Sequence, residues 1–487
     1  MFSKTPGKLS LFKRSKHYRS SQILHVTDSE GHIPSFVEAV NNSRTVRYHP
    51  DNGLSFCNTI DTPYFIFGGD APGRGNGDLE LSEALVEFKR RHPEQVFLIV
   101  GNRDISQNRL KIELEPVLIR ERLLNSQVPR WLVNHPTRPL DYVHAAMKEQ
   151  KYTGSAIDFV QSLSIEECQL IYLKWMLEKT MGCPHSFRYR KEELAKSHRI
   201  VTDSMVLQSF IKESSSEGIT GQYLKLGQPG VIVPNTRVLA IHGGLQPNNI
   251  GWLPGMGAND ERIEDIHIWI REFNTWYATQ IQEWADYQPA ELTKAAFTKL
   301  DDCVLPMPGQ IKSIITADML NSERQFVGIH PEVSRYLLKN RMQIVLTGHQ
   351  PSGDCPAIIR DDGLLVINGD TGYADPKTTD NTRGCATHTL EIFVDGHVSK
   401  IDMNATLSDK SWVRTKLVVN EDLIEGDPYI GEVTSDHKLV QCLLPDGSHY
   451  RLAEQKGFKV EYSTLPVCDL IQLFESEKNA MRNTCKM

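Results

Sequence analysis

Two stretches of the chain end an apolar run with a side chain that can bind a metal ion. Residues 65–70 end in Asp70, and residues 97–102 end in Asn102. Short apolar runs followed by glycine predict buried strands, and such strands deliver both polar side chains to one rim of a sheet. Oxygen ligands gathered at one rim indicate metal-dependent chemistry.

Three further apolar runs end in residues of the same kind. Residues 23–30 end in Asp28 and Glu30, and two later runs end in His242 and His349. Asp28 and Glu30 are two positions apart, so their side chains are expected to point the same way. This mixture of oxygen and nitrogen ligands suits Mn, Fe or Zn rather than Ca. Cysteine does not occur at these strand ends, which argues against a thiolate zinc site.

A helix is predicted between the first two stretches, and it sets how their strands run. Leu81, Leu85 and Phe88 recur at helical spacing, and Pro93 closes the segment. A strand, helix, strand unit of this length places the two strands in parallel. Their carboxyl ends then face one crevice, where both polar side chains would meet.

The order of these motifs resembles that of the calcineurin-like metallophosphoesterases. It is most similar to the phosphoprotein phosphatase branch, whose arginine motif and histidine-glycine-glycine motif match Arg74-Gly75 and residues 242–247. The resemblance covers residues 22–405, and several motifs in a fixed order are much harder to meet by chance than one. The motifs are Asp28, Gly69-Asp70 with Arg74-Gly75, Gly101-Asn102, His242-Gly243-Gly244-Leu245 and Gly348-His349.

The resemblance implies a centre of two divalent metal ions, with Mn expected and Mg, Fe or Zn as the other candidates. Their ligands would be Asp28 and Glu30 on the first ion, Asn102, His242 and His349 on the second, and Asp70 on both. The implied reaction is hydrolysis of a phosphomonoester by attack of a metal-bridging hydroxide, without a covalent intermediate.

The resemblance also implies which residues hold the phosphate. Arg74 and Arg103 would bind its oxygens through the forked guanidinium, and Tyr373 resembles an aromatic residue that the branch places beside the phosphate. Asp104 completes the expected catalytic set with these two arginines.

Three positions depart from the family pattern. Glu30 stands where the family has a histidine, which favours Mn or Mg over Zn, and Gly73 stands where the branch has an aspartate before its arginine. Arg103 stands where most members have the histidine that protonates the leaving group. An arginine cannot act as a general acid near neutral pH.

These departures leave alternatives open beside a phosphatase acting on a monoester such as a phosphoprotein. One alternative is hydrolysis of a nucleotide pyrophosphate or a phosphodiester, because residues 102–104 also resemble the UDP-diacylglucosamine hydrolases of lipid A synthesis. The final Gly-His-x-His motif of those enzymes is absent, since Gln350 and Pro351 follow His349. The other alternative is a catalytically weak binding or scaffold protein of the same fold.

The implied fold is an α/β/β/α sandwich of two mixed sheets. Residues 21–408 would form the catalytic domain, with a helical cap inserted at about residues 105–230. Within that insertion Ser164 and Glu167 predict a capping box ahead of an apolar stripe. Short alternating runs in residues 409–487 predict a small β-rich domain, for which partner binding and structural support both remain open, support being slightly favoured.

Composition limits the classes of function and the compartment. The net charge of −7 and the pI of about 6.2 argue against general nucleic-acid binding. Nine scattered cysteines, with no apolar run of membrane-spanning length and no secretory signal core, are typical of a cytoplasmic protein. Residues 1–20 contain lysine and arginine but no acidic residue, which predicts a disordered basic arm.

Overall fold

The computed structural model describes residues 20–59, 61–126, 137–257, 259–287, 299–304, 312–373, 383–421 and 423–484. Residues 1–19 of the predicted basic arm lie outside the described residues. None of the described helices is both long enough and apolar enough to cross a membrane.

The strands and helices are labelled in chain order. The strands are β1 Ser21–Val26, β2 Val46–His49, β3 Gly53–Phe56, β4 Thr62–Phe67, β5 Val96–Leu98, β6 Gly230–Ile232, β7 Val238–Ile241, β8 Ile344–Thr347, β9 Ala357–Asp361, β10 Leu364–Asn368, β11 Thr387–Asp395, β12 Val398–Thr406, β13 Trp412–Asn420, β14 Leu423–Gly426, β15 Leu439–Leu443, β16 His449–Lys456 and β17 Lys459–Pro466. The helices are α1 Ile33–Asn41, α2 Asp78–Arg91, α3 Asn102–Ser106, α4 Asn108–Glu113, α5 Ile119–Asn125, α6 Pro139–Glu149, α7 Ala156–Ser162, α8 Ile165–Trp175, α9 Ser186–Ala195, α10 Asp203–Glu213, α11 Ile219–Leu226, α12 Ile266–Asp286, α13 Lys299–Val304, α14 Pro331–Lys339 and α15 Val467–Thr484. A π-helical turn, Met176–Thr180, continues α8.

Two mixed sheets contain most of the described strands. One has seven strands in the order β14-β13-β12-β11-β1-β4-β5, and the other has five in the order β6-β7-β8-β10-β9. The strands β1, β4 and β5 run parallel, as do β7, β8 and β10, whereas β11 pairs antiparallel with β1. The carboxyl ends of both parallel sets therefore lie at edges where loops can meet.

The layers of the fold follow from which side chains each sheet face buries. Residues of both sheets, among them Ile23, Ile66, Ala240 and Leu346, form one core between the sheets. On the outer face of the seven-stranded sheet, Phe67 contacts Phe36 of α1, and β4 also packs on α2. The helix α12 covers β6, where Asn274 hydrogen-bonds the backbone of Gly230. The predicted α/β sandwich of two mixed sheets with flanking helices is confirmed.

The helices between β5 and β6 include a group with a hydrophobic core of its own, here called the cap. Its buried residues run from Leu110 to Phe210. The predicted capping box opens α8, where the Ser164 N–H donates to Glu167 Oε2 at 2.7 Å and the Glu167 N–H donates to Ser164 Oγ at 3.2 Å. The apolar stripe after the box, which includes Tyr172 and Trp175, is buried in the cap.

The C-terminal part of the chain joins the main fold in two ways. The strands β13 and β14, which fall inside the predicted unit 409–487, extend the seven-stranded sheet. The strands β15, β16 and β17 form a separate antiparallel sheet, followed by α15. Val440 and Leu452 of that sheet lie in the same core as the two large sheets. The C-terminal sheet therefore packs against the two large sheets.

Candidate metal centre

Backbone hydrogen bonds tie together the loops that follow the parallel strands. The Asp28 N–H donates to Gly69 O at 2.9 Å, and the Glu30 N–H donates to Asp70 O at 3.0 Å. Within the five-stranded sheet, the Gly348 N–H donates to His242 O at 2.7 Å, and across the two sheets His242 Nδ1 lies 2.8 Å from Gly68 O. These bonds bring the ends of four strands, far apart in sequence, to one place.

Four of the predicted ligands converge there on a single small volume. One ligand atom each from Asp70, His242 and His349 lies within 4.8 Å of the others. Asn102 Oδ1 joins them, at 2.8 Å from His349 Nδ1 and 3.4 Å from His242 Nε2. A carboxylate, an amide oxygen and two imidazoles are donors that a divalent transition metal accepts together.

The backbone at these positions is unusual for residues other than glycine. Asp28, Glu30, Asp70 and His349 have φ values of 50°, 46°, 54° and 67°, which lie in the left-handed region. Such conformations cost free energy and cluster where a side chain must be aimed at a ligand. The predicted common direction of Asp28 and Glu30 assumed extended backbone, and the two carboxylates instead make different contacts.

Glycines pack directly against the predicted ligands and leave room for their side chains. A Cβ added to Gly101 would lie 2.0 Å from Asp70 Oδ1, and one added to Gly348 would lie 2.1 Å from Asp28 Oδ2. A Cβ on Gly69 would lie 2.6 Å from His242 Nδ1. The loops can therefore approach this closely only because these positions lack side chains, and the donor set fits a bound divalent ion.

The variant Gly101→Ala is expected to lose metal binding and to lower the free energy of unfolding by about 1–3 kcal/mol, as overpacking does. The backbone φ of Gly101 is −94°, so steric overlap with Asp70 causes the effect rather than backbone strain. Calorimetry and metal titration measure both losses. Gly328→Ala is the control, because a Cβ there meets nothing within 4 Å. Equal metal affinity and equal stability of the two variants would contradict the close packing of Gly101 against Asp70.

The carboxylates predicted for the first ion, Asp28 and Glu30, contact His349 and the two arginines. Both Asp28 carboxylate oxygens accept the His349 N–H, at 3.1 and 3.2 Å. Glu30 Oε1 lies 2.7 Å from Arg103 Nε, and Glu30 Oε2 lies 3.6 Å from Arg74 Nη1. Glu30 therefore pairs with the two arginines.

Asp370 is a buried carboxylate of this site that sequence analysis did not select. It follows β10, as Asp70 follows β4, and its Oδ1 accepts the Gly372 N–H at 2.8 Å. Its charge acts on Asp28, and the charge of Asp70 acts on it. The signal for it was the same pattern of apolar run, glycine and carboxylate, at residues 364–370.

The buried carboxylates Asp28, Asp70 and Asp370 have shifted pKa values. Burial, followed by the charge of Asp370, holds the pKa of Asp28 well above its usual range. Burial and the charge of Glu30 raise the pKa of Asp370 to about 6. Burial acts in the same direction on Asp70, but the neighbouring His242 outweighs it, and the pKa of Asp70 is lowered to about 2. Cations are the natural ligands of such a cluster.

Asp104 holds the backbone that presents the ligands. Its carboxylate accepts N–H groups of Asp70 at 2.9 Å, Ala71 at 2.9 Å and Gly101 at 2.7 Å. It thus fixes the Asp70 loop against the start of α3. Burial and the charge of Asp70 raise the pKa of Asp104 to about 7.

The departures at residues 73 and 103 are linked in space. Gly73 has a φ of 141°, and a Cβ there would lie 3.3 Å from Arg103 Nη1. The Arg103 guanidinium thus lies close against Gly73, where the branch has an aspartate. The cap borders the same place, since Ser186 Oγ donates to Gly73 O at 2.6 Å and Arg103 Nη1 donates to Met181 O at 3.4 Å.

Tyr373, which the resemblance assigned to a place beside the phosphate, lies next to Arg74. The Arg74 guanidinium carbon is 4.5 Å from the centre of the Tyr373 ring, a cation–π contact. The structure therefore brings Arg74, Arg103 and Tyr373 together at one edge of the metal centre, through Glu30.

Comparison with known proteins gives low similarities. No protein-family model and no curated protein matches this chain. Among solved structures, a cold-active protein-tyrosine phosphatase of a psychrophilic Shewanella species is 10% identical, with 81% of this chain and 80% of that chain covered and a TM-score of 0.38. A Saccharomyces cerevisiae protein serine/threonine phosphatase with similarity to human phosphatase PP5 is 13% identical, with 76% and 72% covered and a TM-score of 0.30. These values are too low to transfer the chemistry of either protein, so the chemistry of this centre has to follow from its geometry.

Proposed function

We propose that this protein is a metal-dependent phosphoesterase that hydrolyses a phosphomonoester, with a phosphorylated protein or small molecule as its substrate. The convergence of Asp70, His242 and His349 within 4.8 Å, with Asn102 beside them, carries the proposal. Arg103, which lies 3.6 Å from Asp70 Oδ2, and Arg74, which pairs with the same Glu30, supply the charge that a phosphate needs.

Two divalent ions, with Mn as the expected metal, fit this set of donors. Asn102, His242 and His349 would hold one ion with Asp70. Asp28 would hold the other with Asp70, and Glu30 and Asp370 would be its further carboxylates, since the charge of Asp370 acts on Asp28 and that of Glu30 acts on Asp370. When bound, the ions would lower the pKa of water and offset negative charge on the phosphate.

The side chains of the chain bind and orient the phosphate. Arg103 lies 3.6 Å from Asp70 Oδ2 and 2.7 Å from Glu30 Oε1, both through Nε, so its fork is fixed next to the metal cluster. Arg74 is held between Glu30 and the Tyr373 ring. Glu30 therefore positions both guanidinium groups, while Asp104 fixes the loop that presents Asp70.

The free cysteines support the proposed compartment. Apart from Cys303, seven cysteines in the described part of the chain are free thiols, and four of them are buried. Free thiols in this number are typical of a reducing compartment such as the cytoplasm, where we propose that the protein works.

Purified protein is expected to hydrolyse p-nitrophenyl phosphate with added Mn, and faster than bis-p-nitrophenyl phosphate. Activity should disappear when a chelator removes the metal and return when Mn is added back, because the donors form a divalent-ion site. The measurement is absorbance at several concentrations of Mn, Mg, Fe and Zn. A faster reaction with the diester would favour phosphodiester hydrolysis. Inactivity with all four metals, together with purification free of bound metal, would contradict both hydrolase functions.

A further inference from the structure

The hairpin between β16 and β17 is fixed to the loop that follows the ligand His349. Arg451 Nη2 lies 3.0 Å from Asp354 Oδ2, and the Asp354 N–H donates to the Tyr462 hydroxyl at 2.8 Å. Asp354 is fully buried, so this ion pair is shielded from water. Gln441 Nε2 of β15 adds hydrogen bonds to Ser352 O at 2.9 Å and Cys355 O at 2.8 Å. The C-terminal sheet therefore has a fixed position relative to the metal centre.

The tip of this hairpin presents an exposed aromatic ring to the site. The Phe458 side chain is 59% exposed, yet its ring centre lies 6.1 Å from that of Tyr373. The Arg324 guanidinium carbon lies 5.0 Å from the centre of the Phe458 ring. An exposed phenylalanine held by an aromatic ring and a guanidinium is available for stacking with a ligand.

These contacts continue the phosphate site outward. Arg74 lies over Tyr373 at 4.5 Å, and Tyr373 neighbours Phe458. On the other side, Arg324 Nη1 lies 3.5 Å from Asp318 Oδ2, and Arg324 Nη2 donates to Gln350 Oε1, next to the ligand His349. We call Tyr373 and Phe458, with Arg74 and Arg324 at their ends, the aromatic shelf. It begins at a phosphate-binding arginine and ends in solvent.

We propose that the aromatic shelf selects aryl phosphates, and that Phe458 is its specificity-determining residue. The inference rests on the proposed phosphatase function and names its substrate class. With the phosphate on Arg74 and Arg103, the group attached to it extends over Tyr373 toward Phe458. A planar aromatic group gains stacking and cation–π contacts there that an alkyl chain does not.

The chemistry of the site favours the same class of substrate. Hydroxide derived from water forms a bond to phosphorus, the ester P–O bond breaks with its electron pair on the leaving oxygen, and solvent water protonates that oxygen. Arg103 cannot donate this proton, so a weakly basic leaving group is favoured. An aryl oxide is a much weaker base than an alkyl oxide. Phenyl phosphate and phosphotyrosine thus share the chemistry that the shelf and Arg103 together require.

The test compares Phe458→Ala with wild type on phenyl phosphate and on 2,2,2-trifluoroethyl phosphate, whose leaving group is weakly basic but not aromatic. We expect Phe458→Ala to lower kcat/KM for phenyl phosphate between about twofold and about tenfold, chiefly by raising KM, as the loss of one aromatic contact does. The kcat/KM for the trifluoroethyl ester should not change. Phe458→Tyr should have the wild-type kcat/KM for phenyl phosphate. Trp412→Ala is the matched control, since Trp412 is 55% exposed and lies on β13.

Binding measurements test the selectivity of the aromatic shelf without catalysis. Calorimetry with Mn present is expected to show a weaker Kd of Phe458→Ala for phenylphosphonate and an unchanged Kd for ethylphosphonate. If the wild type hydrolyses monoesters but Phe458→Ala changes the Kd for both phosphonates equally, or for neither, the aromatic shelf proposal is overturned. The proposed phosphatase function would then still stand. A wild type that hydrolyses no monoester with any metal would overturn both. A larger loss on a phosphotyrosine peptide than on phenyl phosphate identifies protein as the source of the aryl group, and equal losses identify a small molecule.

Discussion

Replacing Asp70 with asparagine is expected to reduce metal-dependent hydrolysis by at least about a thousandfold, the upper range for loss of one preorganised group. The Asp70 carboxylate lies 3.4 Å from His242 Nε2 and 3.6 Å from Arg103 Nε, and it is the donor that both ions would share. Asparagine keeps the shape but removes the charge. The measurement is kcat for p-nitrophenyl phosphate at saturating Mn.

Asp402→Asn serves as the control for the Asp70 variant. Asp402 is also a buried carboxylate paired with arginines, Arg44 and Arg414, but it belongs to β12. A loss that is specific to Asp70 identifies the metal centre, whereas similar losses in both variants would indicate general destabilisation. Activity of Asp70→Asn within about tenfold of wild type would contradict the proposed role.

The variant His242→Ala is expected to lower affinity for Mn by at least about a hundredfold, since even loss of an outer partner of a ligand costs 10–100-fold. The Nδ1 atom of His242 lies 2.8 Å from Gly68 O, so Nδ1 donates to that carbonyl and leaves Nε2, next to Asp70 and Asn102, as the atom that would bind the metal. Isothermal titration with Mn measures the loss, and hydrolysis should fall with it.

His437→Ala is the matched control for His242. His437 Nδ1 also contacts a backbone carbonyl, Phe326 O at 3.1 Å, but lies in the C-terminal part of the chain. It should bind Mn as wild type does. If His242→Ala keeps its bound Mn, imidazole at position 242 is a core residue and not a ligand.

The residues at strand ends were predictable because a single rule positions them. Parallel strands bring their carboxyl ends to one edge, so Asp70, Asn102, His242 and His349 could be grouped from their places after apolar runs. The two-sheet fold was predicted from the resemblance that the order of these motifs carries. The order of the motifs along the whole chain, rather than any single motif, made these residues predictable.

Residues that depend on loop conformation were not predictable in this way. Asp370 has the same sequence pattern as Asp70, but only the folded turn after β10 places its carboxylate where its charge acts on Asp28. The left-handed backbone at Glu30 turns its carboxylate to Arg103, which spacing in an extended strand does not foresee. Phe458 lies at a hairpin tip, and a hairpin pattern contains no information about the surface that its tip will meet.

The left-handed backbone at Asp28, Glu30, Asp70 and His349 has a consequence for how such a protein can change over generations. Glycine adopts this conformation without strain, so a change from aspartate to glycine at residue 28 or 70 would relieve the backbone while deleting a ligand. Selection for stability alone then favours loss of the catalyst. Retention of acidic and imidazole side chains at these strained positions in natural variants would therefore indicate selection for activity, whereas glycines there would mark lineages that keep only the fold.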